Sequence, residues 1–176
     1  EFDAETNLNL YIFLDISRSM ECASGGVSKL VYASALAAAL AHLALKQRDA
    51  VGITLFADQV VAHLDPKAKP QQLEEVLRMI EITTVRPVSH AARALPQAVE
   101  LARHRGMVVL ISDLFDDLPP IVQALDHLRF RRHEVLLFHL FDPWERRLPL
   151  EGNVRFRDME TGEEITTPVD GIRAEY

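Results

Sequence analysis

A single cysteine stands in the 176 residues of this chain. That excludes an internal disulfide framework and fits a reducing compartment. No basic group is obviously poised beside Cys22 to lower its pKa, so nothing marks it as a reactive thiol. Positive charge is also short. Nineteen Lys and Arg face 26 Asp and Glu, for a formal net charge of −7. Nucleic acids and anionic membranes are bound by concentrated basic fields, which an acidic balance of this kind does not offer. The basic residues form no long tract; "RHRGM" and "RFRRHE" flank apolar runs and solvate helix ends. No apolar run approaches the roughly 20 residues of a membrane helix. The nearest, "KLVYASALAAALAHLAL", is alanine-rich and carries Lys29 and His42, which predicts a buried amphipathic helix. No signal-peptide pattern opens the sequence, and the expected location is the cytoplasm. Two enzymatic signatures are missing as well. "SGGVSKL" lacks the spacing of a phosphate-cradling loop, and there is no G-x-S-x-G nucleophile elbow.

What is present reads as a globular domain. The chain is 48% hydrophobic and 26% charged, the ordinary range for such domains. Its length suits one compact unit with a real core. The expected organisation is a single domain over residues 1–176. The absence of an initial methionine predicts that it was excised from a longer protein.

Apolar runs and polar stops place the elements. "NLNLYIFLD" reads as a buried strand. "SKLVYASALAAALAHLALKQRD" reads as a helix capped by Ser28, with Lys46 and Arg48 suited to its C-terminal end. "AVGITLFAD" and "QVVAHLDP" read as strands, and "PQQLEEVLRMIEIT" as a helix. "SHAARALPQAVELARHRG" reads as a helix ending at Gly106, kinked or started by Pro96. "MVVLISD" is a strand, "LPPIVQALDHLRFRR" a helix with prolines in its first turn, and "HEVLLFHLFD" a strand that buries His139. "NVRFRDMETGEEITTP" reads as a short strand or a hairpin with a Thr-Gly turn. Strands that are nearly continuous apolar runs, alternating with helices, predict an α/β fold. It would be Rossmann-like and three-layered, with a mostly parallel sheet covered on both faces. Ligands bind such sheets at the carboxyl ends of the strands.

The stretch "YIFLDISRSMECASGGVSKL" puts polar residues at that end. An extended segment points alternate side chains the same way, so Asp15, Ser17 and Ser19 can converge on one point. One carboxylate and two hydroxyls form an all-oxygen set, which suits a hard cation such as Mg²⁺, with Mn²⁺ or Ca²⁺ as alternatives. Asp113 ends another strand and can add a second carboxylate. A ligand set this sparse leaves a position open for a partner's carboxylate. The same residues also suit a turn that satisfies its own amides.

"DISRSM" resembles the Asp-x-Ser-x-Ser metal-ion-dependent adhesion site (MIDAS) of von Willebrand factor A (vWA) domains. A closer resemblance runs along almost the whole chain. "SGGVSKLVYASALAAALAHLALKQRDAVGITLFAD", "VVLISDLFDDL" and "RRHEVLLFHLFDPWERRLPLEGNVRFRDMETGEE" resemble the A-type domain of the bacterial domain-of-unknown-function family number 58. These likenesses imply a vWA fold and metal ligation by Asp15, Ser17, Ser19 and Asp113. The family's second metal loop commonly reads Gly-Gly-Thr-Asp. This sequence reads "RPVSHAARAL", so Ser89 falls at the ligating threonine and His90 where an aspartate is common. Ser89 also suits a helix cap. The resemblance further implies a binding role beside a MoxR-type AAA+ ATPase, in membrane-associated or chaperone-like assembly.

Three functions follow as expectations. The first is a non-catalytic interaction module whose Mg²⁺ coordinates an acidic partner residue, with His90 and Trp144 as possible partner contacts. The second is a Mg²⁺-dependent phosphatase or hydrolase. Against it, Ser17 stands where haloacid-dehalogenase-like enzymes carry a second aspartate, and no base is placed beside either serine. The third is a structural domain with a degenerate metal loop. Asp116 and Asp117 read either as a favourable opening of the next helix or as a secondary cation site.

Overall fold

The computed structural model describes residues 8–86, 90–147, 149–150, 152–157 and 164–168. Five strands form one sheet: β1 (Asn9–Asp15), β2 (Ala50–Phe56), β3 (Val60–Lys67), β4 (Met107–Ser112) and β5 (Glu134–His139). Their order is β3-β2-β1-β4-β5. Neighbours run parallel except β2 and β3, which are antiparallel. The helices are α1 (Lys29–Lys46), α2 (Gln71–Glu81), α3 (Ala91–Leu101), α4 (Leu118–Phe130) and the short α5 (Pro143–Arg147). A separate antiparallel hairpin joins β6 (Asn153–Arg157) to β7 (Glu164–Pro168). The expected Thr-Gly turn of that hairpin lies outside the described residues.

The central strand explains the three layers. Leu10, Ile12 and Leu14 of β1 pack into one apolar cluster with Ala33, Ala37 and Ala41 of α1 and Val76 of α2. Tyr11 and Phe13, on the opposite pleat, pack with Ala94, Leu95 and Ala98 of α3 and Ile121 and Leu128 of α4. A strand buried on both faces has no place for polar alternation, so it reads as a continuous apolar run. The expected mostly parallel α/β architecture is therefore present.

α1 begins where Ser28 caps it: the serine Oγ accepts the Val31 amide at 3.2 Å. Its buried stripe is Ala33, Ala37, Ala41 and Ala44, while Val31, Tyr32 and Leu43 are exposed. The small residues let the helix lie close on β1 and β2; the bulkier apolar ones point outward. Among the described residues α1 is the one helix long and apolar enough to cross a membrane. Its alanine stripe nonetheless belongs to the core of the sheet.

Three details differ from the sequence reading. α3 ends at Leu101, not Gly106, and carries Pro96 inside it. Gly106 serves the sheet instead, since a Cβ there would strike the Asn9 backbone. β5 is not buried. It is an edge of the sheet with Leu136, Leu137 and His139 exposed.

Gly52 in β2 has a similar reason. The β2–β3 pairing shifts register between Val51 and Ile53. A Cβ on Gly52 would lie 2.6 Å from the Leu64 carbonyl oxygen and 2.8 Å from the Pro66 nitrogen. Both are backbone atoms that cannot swing aside. Gly52→Ala is expected to lower stability by about 1–3 kcal/mol, despite the better strand propensity of alanine. Equilibrium urea unfolding of parent and variant measures it; an unchanged midpoint would refute the close crossing.

Candidate functional site

Strand order locates the site. From β1 the chain crosses through α1 to β2 on one side, and β4 lies on the other, leading through α4 to β5. Crossovers of one hand that run in opposite directions put their helices on opposite faces. Where they diverge, the carboxyl ends of β1 and β4 lie side by side, the place at which sheets of this kind bind ligands.

Register brings the polar residues together there. Leu14 lies opposite Ile111, so Asp15 and Ser112 come abreast. Ser112 Oγ donates to Asp15 Oδ2 at 2.5 Å, and the Ser17 amide donates to Oδ1 at 2.8 Å. The Leu114 amide donates to Ser112 Oγ in turn, at 2.9 Å. Asp15 is 1% exposed. Burial pushes its carboxyl up to about 6, against the hydrogen bonds from Ser112 and Ser17, and the charge of Asp113 adds to the rise. Ser112 is a hydrogen-bond partner of Asp15 that was not among the candidate site residues. Its signal was its place immediately before Asp113, on the pleat that faces Asp15.

Ser17 and Ser19 do converge, by a different route from the one expected. The chain is extended only as far as Ser17 (φ −66°, ψ 165°), then turns through a short 3-10 helix, Arg18–Glu21. That turn, not the pleat of a strand, sets Ser19 Oγ 3.0 Å from Ser17 Oγ. The Arg86 amide donates to the Ile16 carbonyl at 2.9 Å, and Arg86 bridges to Ser17. Arg86 therefore lies beside Ser17. Ser89 itself lies outside the described residues. His90 precedes α3, is exposed, and its side chain does not cap the helix. Asp116 accepts the Ala92 amide at 2.9 Å. It therefore satisfies the start of α3, while its other oxygen accepts the amide of Asp117 at 2.7 Å, the residue that caps α4.

Asp113 sits one residue beyond β4 and is buried with Lys29. Lys29 Nζ donates to Asp113 Oδ2 at 2.8 Å and to Glu145 Oε1 at 2.6 Å. Burial drags on the lysine ammonium, but the two carboxylates outweigh it and its pKa stands above the ordinary value. His139 is no core residue. Its Nε2 lies 2.8 Å from the Asp113 carbonyl oxygen, from an exposed position on β5. Lys29 and Glu145 were not expected here. The clue in the sequence was a lone lysine opening an apolar helix.

The segment after β5 closes over this group. Glu145 Oε2 accepts the Asp142 amide, Asp142 Oδ1 accepts the Trp144 amide, and Asp142 Oδ2 accepts the Ser24 amide, each at 2.8 Å. Trp144 is 53% exposed, so it presents a surface rather than anchoring the loop. Cys22 lies in the same neighbourhood, where burial and then Glu145 push its thiol up, the opposite of activation. Among the described residues, no group of three or more His, Cys, Asp or Glu side chains is placed to hold a metal. Any cation at these strand ends would have to use the serine hydroxyls.

A family model, Protein of unknown function DUF58, matches residues 1–176. The chain belongs to the DUF58 family. It is similar to uncharacterized proteins of Mycobacterium tuberculosis and Mycobacterium bovis, 28% identical over 164 residues that cover 90% of this chain. The chain spans 50% of those relatives' length. Two solved structures share its fold. An aerotolerance-related membrane protein from Bacteroides fragilis superposes with a TM-score of 0.67 at 21% identity, covering 94% of this chain and 83% of that one. The conserved hypothetical protein BatB from Bacteroides thetaiotaomicron gives 0.67 at 24% identity, covering 96% and 84%.

The raised Asp15 pKa makes the ion-free DUF58 domain pH-sensitive in a defined direction. The folded state holds the Asp15 proton more tightly than the unfolded chain does. Its stabilising contribution is full below about pH 4 and is lost as pH rises through about 6. Asp15→Asn keeps an acceptor for the Ser17 amide and carries no charge. In chelator at pH 7.5 the variant is expected to be more stable than the parent by about 2 kcal/mol, the gap narrowing toward pH 5. Urea unfolding at the two pH values checks this; a variant that is less stable at pH 7.5 would refute it.

Proposed function

We propose that this domain is a non-catalytic interaction module that holds Mg²⁺ at a MIDAS-like site and offers it to a carboxylate of a protein partner. The observation that carries the reading is the pair of serine oxygens 3.0 Å apart. They lie beside a buried carboxylate at the switch point of the sheet. Neighbouring oxygens on an octahedral Mg²⁺, with bonds of about 2.1 Å, lie about 3.0 Å apart. The spacing of Ser17 and Ser19 fits that demand. Asp15, held in place by Ser112 and the Ser17 amide, supplies the first carboxylate for the ion. Asp113 supplies the second carboxylate, and Ser89 is the hydroxyl proposed from the neighbouring loop. Calcium prefers six to eight oxygens, so this small set suits Mg²⁺ or Mn²⁺ better.

Bound there, the ion would supply an electrophilic position for an acidic side chain. The protein supplies the surface around it. Phe115, whose amide donates to Asp113 Oδ1 at 3.3 Å, is 69% exposed. Val27 before α1, Phe141 after β5 and Trp144 in α5 are exposed as well. Apolar residues near a polar anchor make a plausible docking rim. The MoxR-type AAA+ ATPase implied by the family likeness is the proposed partner. Catalysis is not favoured: the hydroxyl partner of Ser17 is Ser19, not a base that would make it a nucleophile.

The test is thermal unfolding of chelator-treated protein titrated with Mg²⁺ and Mn²⁺. An ion that binds only the folded state stabilises it by about 2.7 kcal/mol at one hundred times its dissociation constant. The parent should show a rising midpoint. Asp15→Ala should fold and show none, and Ser17→Ala should show a smaller rise, because a neutral hydroxyl contributes less. An acidic peptide should then bind only in the presence of ion. A flat parent curve at millimolar ion would overturn the proposal in favour of a structural domain with a degenerate loop.

A further inference from the structure

Lys29 is in an odd place for a lysine. It is the first residue of an 18-residue helix, where the helix dipole disfavours a cation. It is also 6% exposed. Only the two carboxylates explain it. Asp113, whose side chain is 5% exposed, takes it from the sheet, and Glu145, 28% exposed, takes it from α5. The network runs on without a gap: Glu145 to the Asp142 amide, and Asp142 to the amides of Ser24 and Trp144. A continuous chain of charge-assisted bonds thus joins the aspartate at the strand ends to the surface turn bearing Trp144.

We propose that Lys29 is a tethered counter-cation that competes with a divalent ion for Asp113 and thereby couples ion occupancy to the position of the Trp144 turn. This rests on the metal-site reading of Asp15, Ser17, Ser19 and Asp113. Without the ion, Lys29 neutralises Asp113 and shares its ammonium with Glu145, which clasps the turn to the strand ends. An ion at Asp113 repels the ammonium and takes its partner. Lys29 is left to Glu145 alone, and the clasp is re-formed around a different charge balance. The coupling is reciprocal. A partner that prefers the displaced turn tightens ion binding by the same factor that the ion tightens partner binding. The site is thereby tied to the surface most suited to meeting a partner.

The chain reports on itself, because Trp144 is its only tryptophan. Ion titrations of the chelator-treated domain are followed by Trp144 emission and, separately, by thermal unfolding. In the parent, both signals should move with one dissociation constant. Lys29→Met removes the competing charge. It should tighten Mg²⁺ by about tenfold or more and abolish the emission response. Glu145→Gln keeps the buried Lys29–Asp113 pair and cuts only the link to the turn. It should retain ion-dependent stabilisation while the emission response is lost, and it carries the test should Lys29→Met not fold. In chelator, Glu145→Gln should also make Trp144 more accessible to acrylamide quenching than in the parent. Unchanged Mg²⁺ affinity in Lys29→Met, or a surviving emission response in Glu145→Gln, would overturn the coupling and leave the ion site standing. A parent with no ion-dependent stabilisation would overturn the site and the coupling together.

Discussion

The side-by-side pairing of β1 and β4 is the constraint on which the rest of this structure depends. These two parallel strands are where the chain reverses its direction of travel across the sheet. Fixed crossover handedness then sends α1 to one face and α4 to the other; α2 packs on the side of α1 and α3 on the side of α4. Both faces of β1 must be apolar as a result, and they are: Leu10, Ile12 and Leu14 on one side, Tyr11 and Phe13 on the other. The same pairing sets the carboxyl ends of the two strands beside each other. Asp15, Ser112 and Asp113 stand buried at those ends.

Charge at the strand ends is unevenly compensated. Asp113 and Glu145 share one ammonium, that of Lys29. Asp15 is held by hydrogen bonds from Ser112 and the Ser17 amide and, among the described residues, by no ion pair. The difference shows in the protonation chemistry. Lys29 stays charged because two carboxylates outweigh its desolvation, whereas desolvation dominates at Asp15 and hydrogen bonds only moderate it. Hydroxyl and amide donors stabilise a buried carboxylate, but a full opposite charge does so more effectively. The residual demand for positive charge is therefore greatest at Asp15, which also feels the charge of Asp113.

Most of the fold was legible from local pattern. Apolar runs ending in aspartate marked β1 and β4, Ser28 marked the start of α1, and alternation of strands with helices gave the layered sheet. What escaped depends on contacts between residues remote in sequence. Lys29 and Glu145 are 116 positions apart, and no periodicity joins them. Gly106 looked like a helix stop because glycine often is one, yet its role is to let β4 pass close to Asn9. β5 looked buried because its residues are apolar, but burial depends on neighbours, and β5 lies at the sheet's edge. At the site, the strand-end aspartates and the serine pair were readable from spacing. Their orientation was not, because a 3-10 turn replaced the extended segment at Arg18.

The overall charge sharpens what a metal would add. A domain with a formal charge of −7 repels an acidic partner at a distance, and that repulsion is screened only beyond a Debye length of about 8 Å at physiological salt. Lys29 cannot reverse it, since its charge is already shared between two carboxylates. A divalent ion among two neutral hydroxyls and two carboxylates would add two positive charges at one point, within contact range of an incoming carboxylate. In the proposed reading, attraction to an acidic partner would thus be short-ranged and conditional on the ion. The rest of the contact would fall to uncharged surface, and the exposed Phe115, Phe141 and Trp144 are the side chains suited to it.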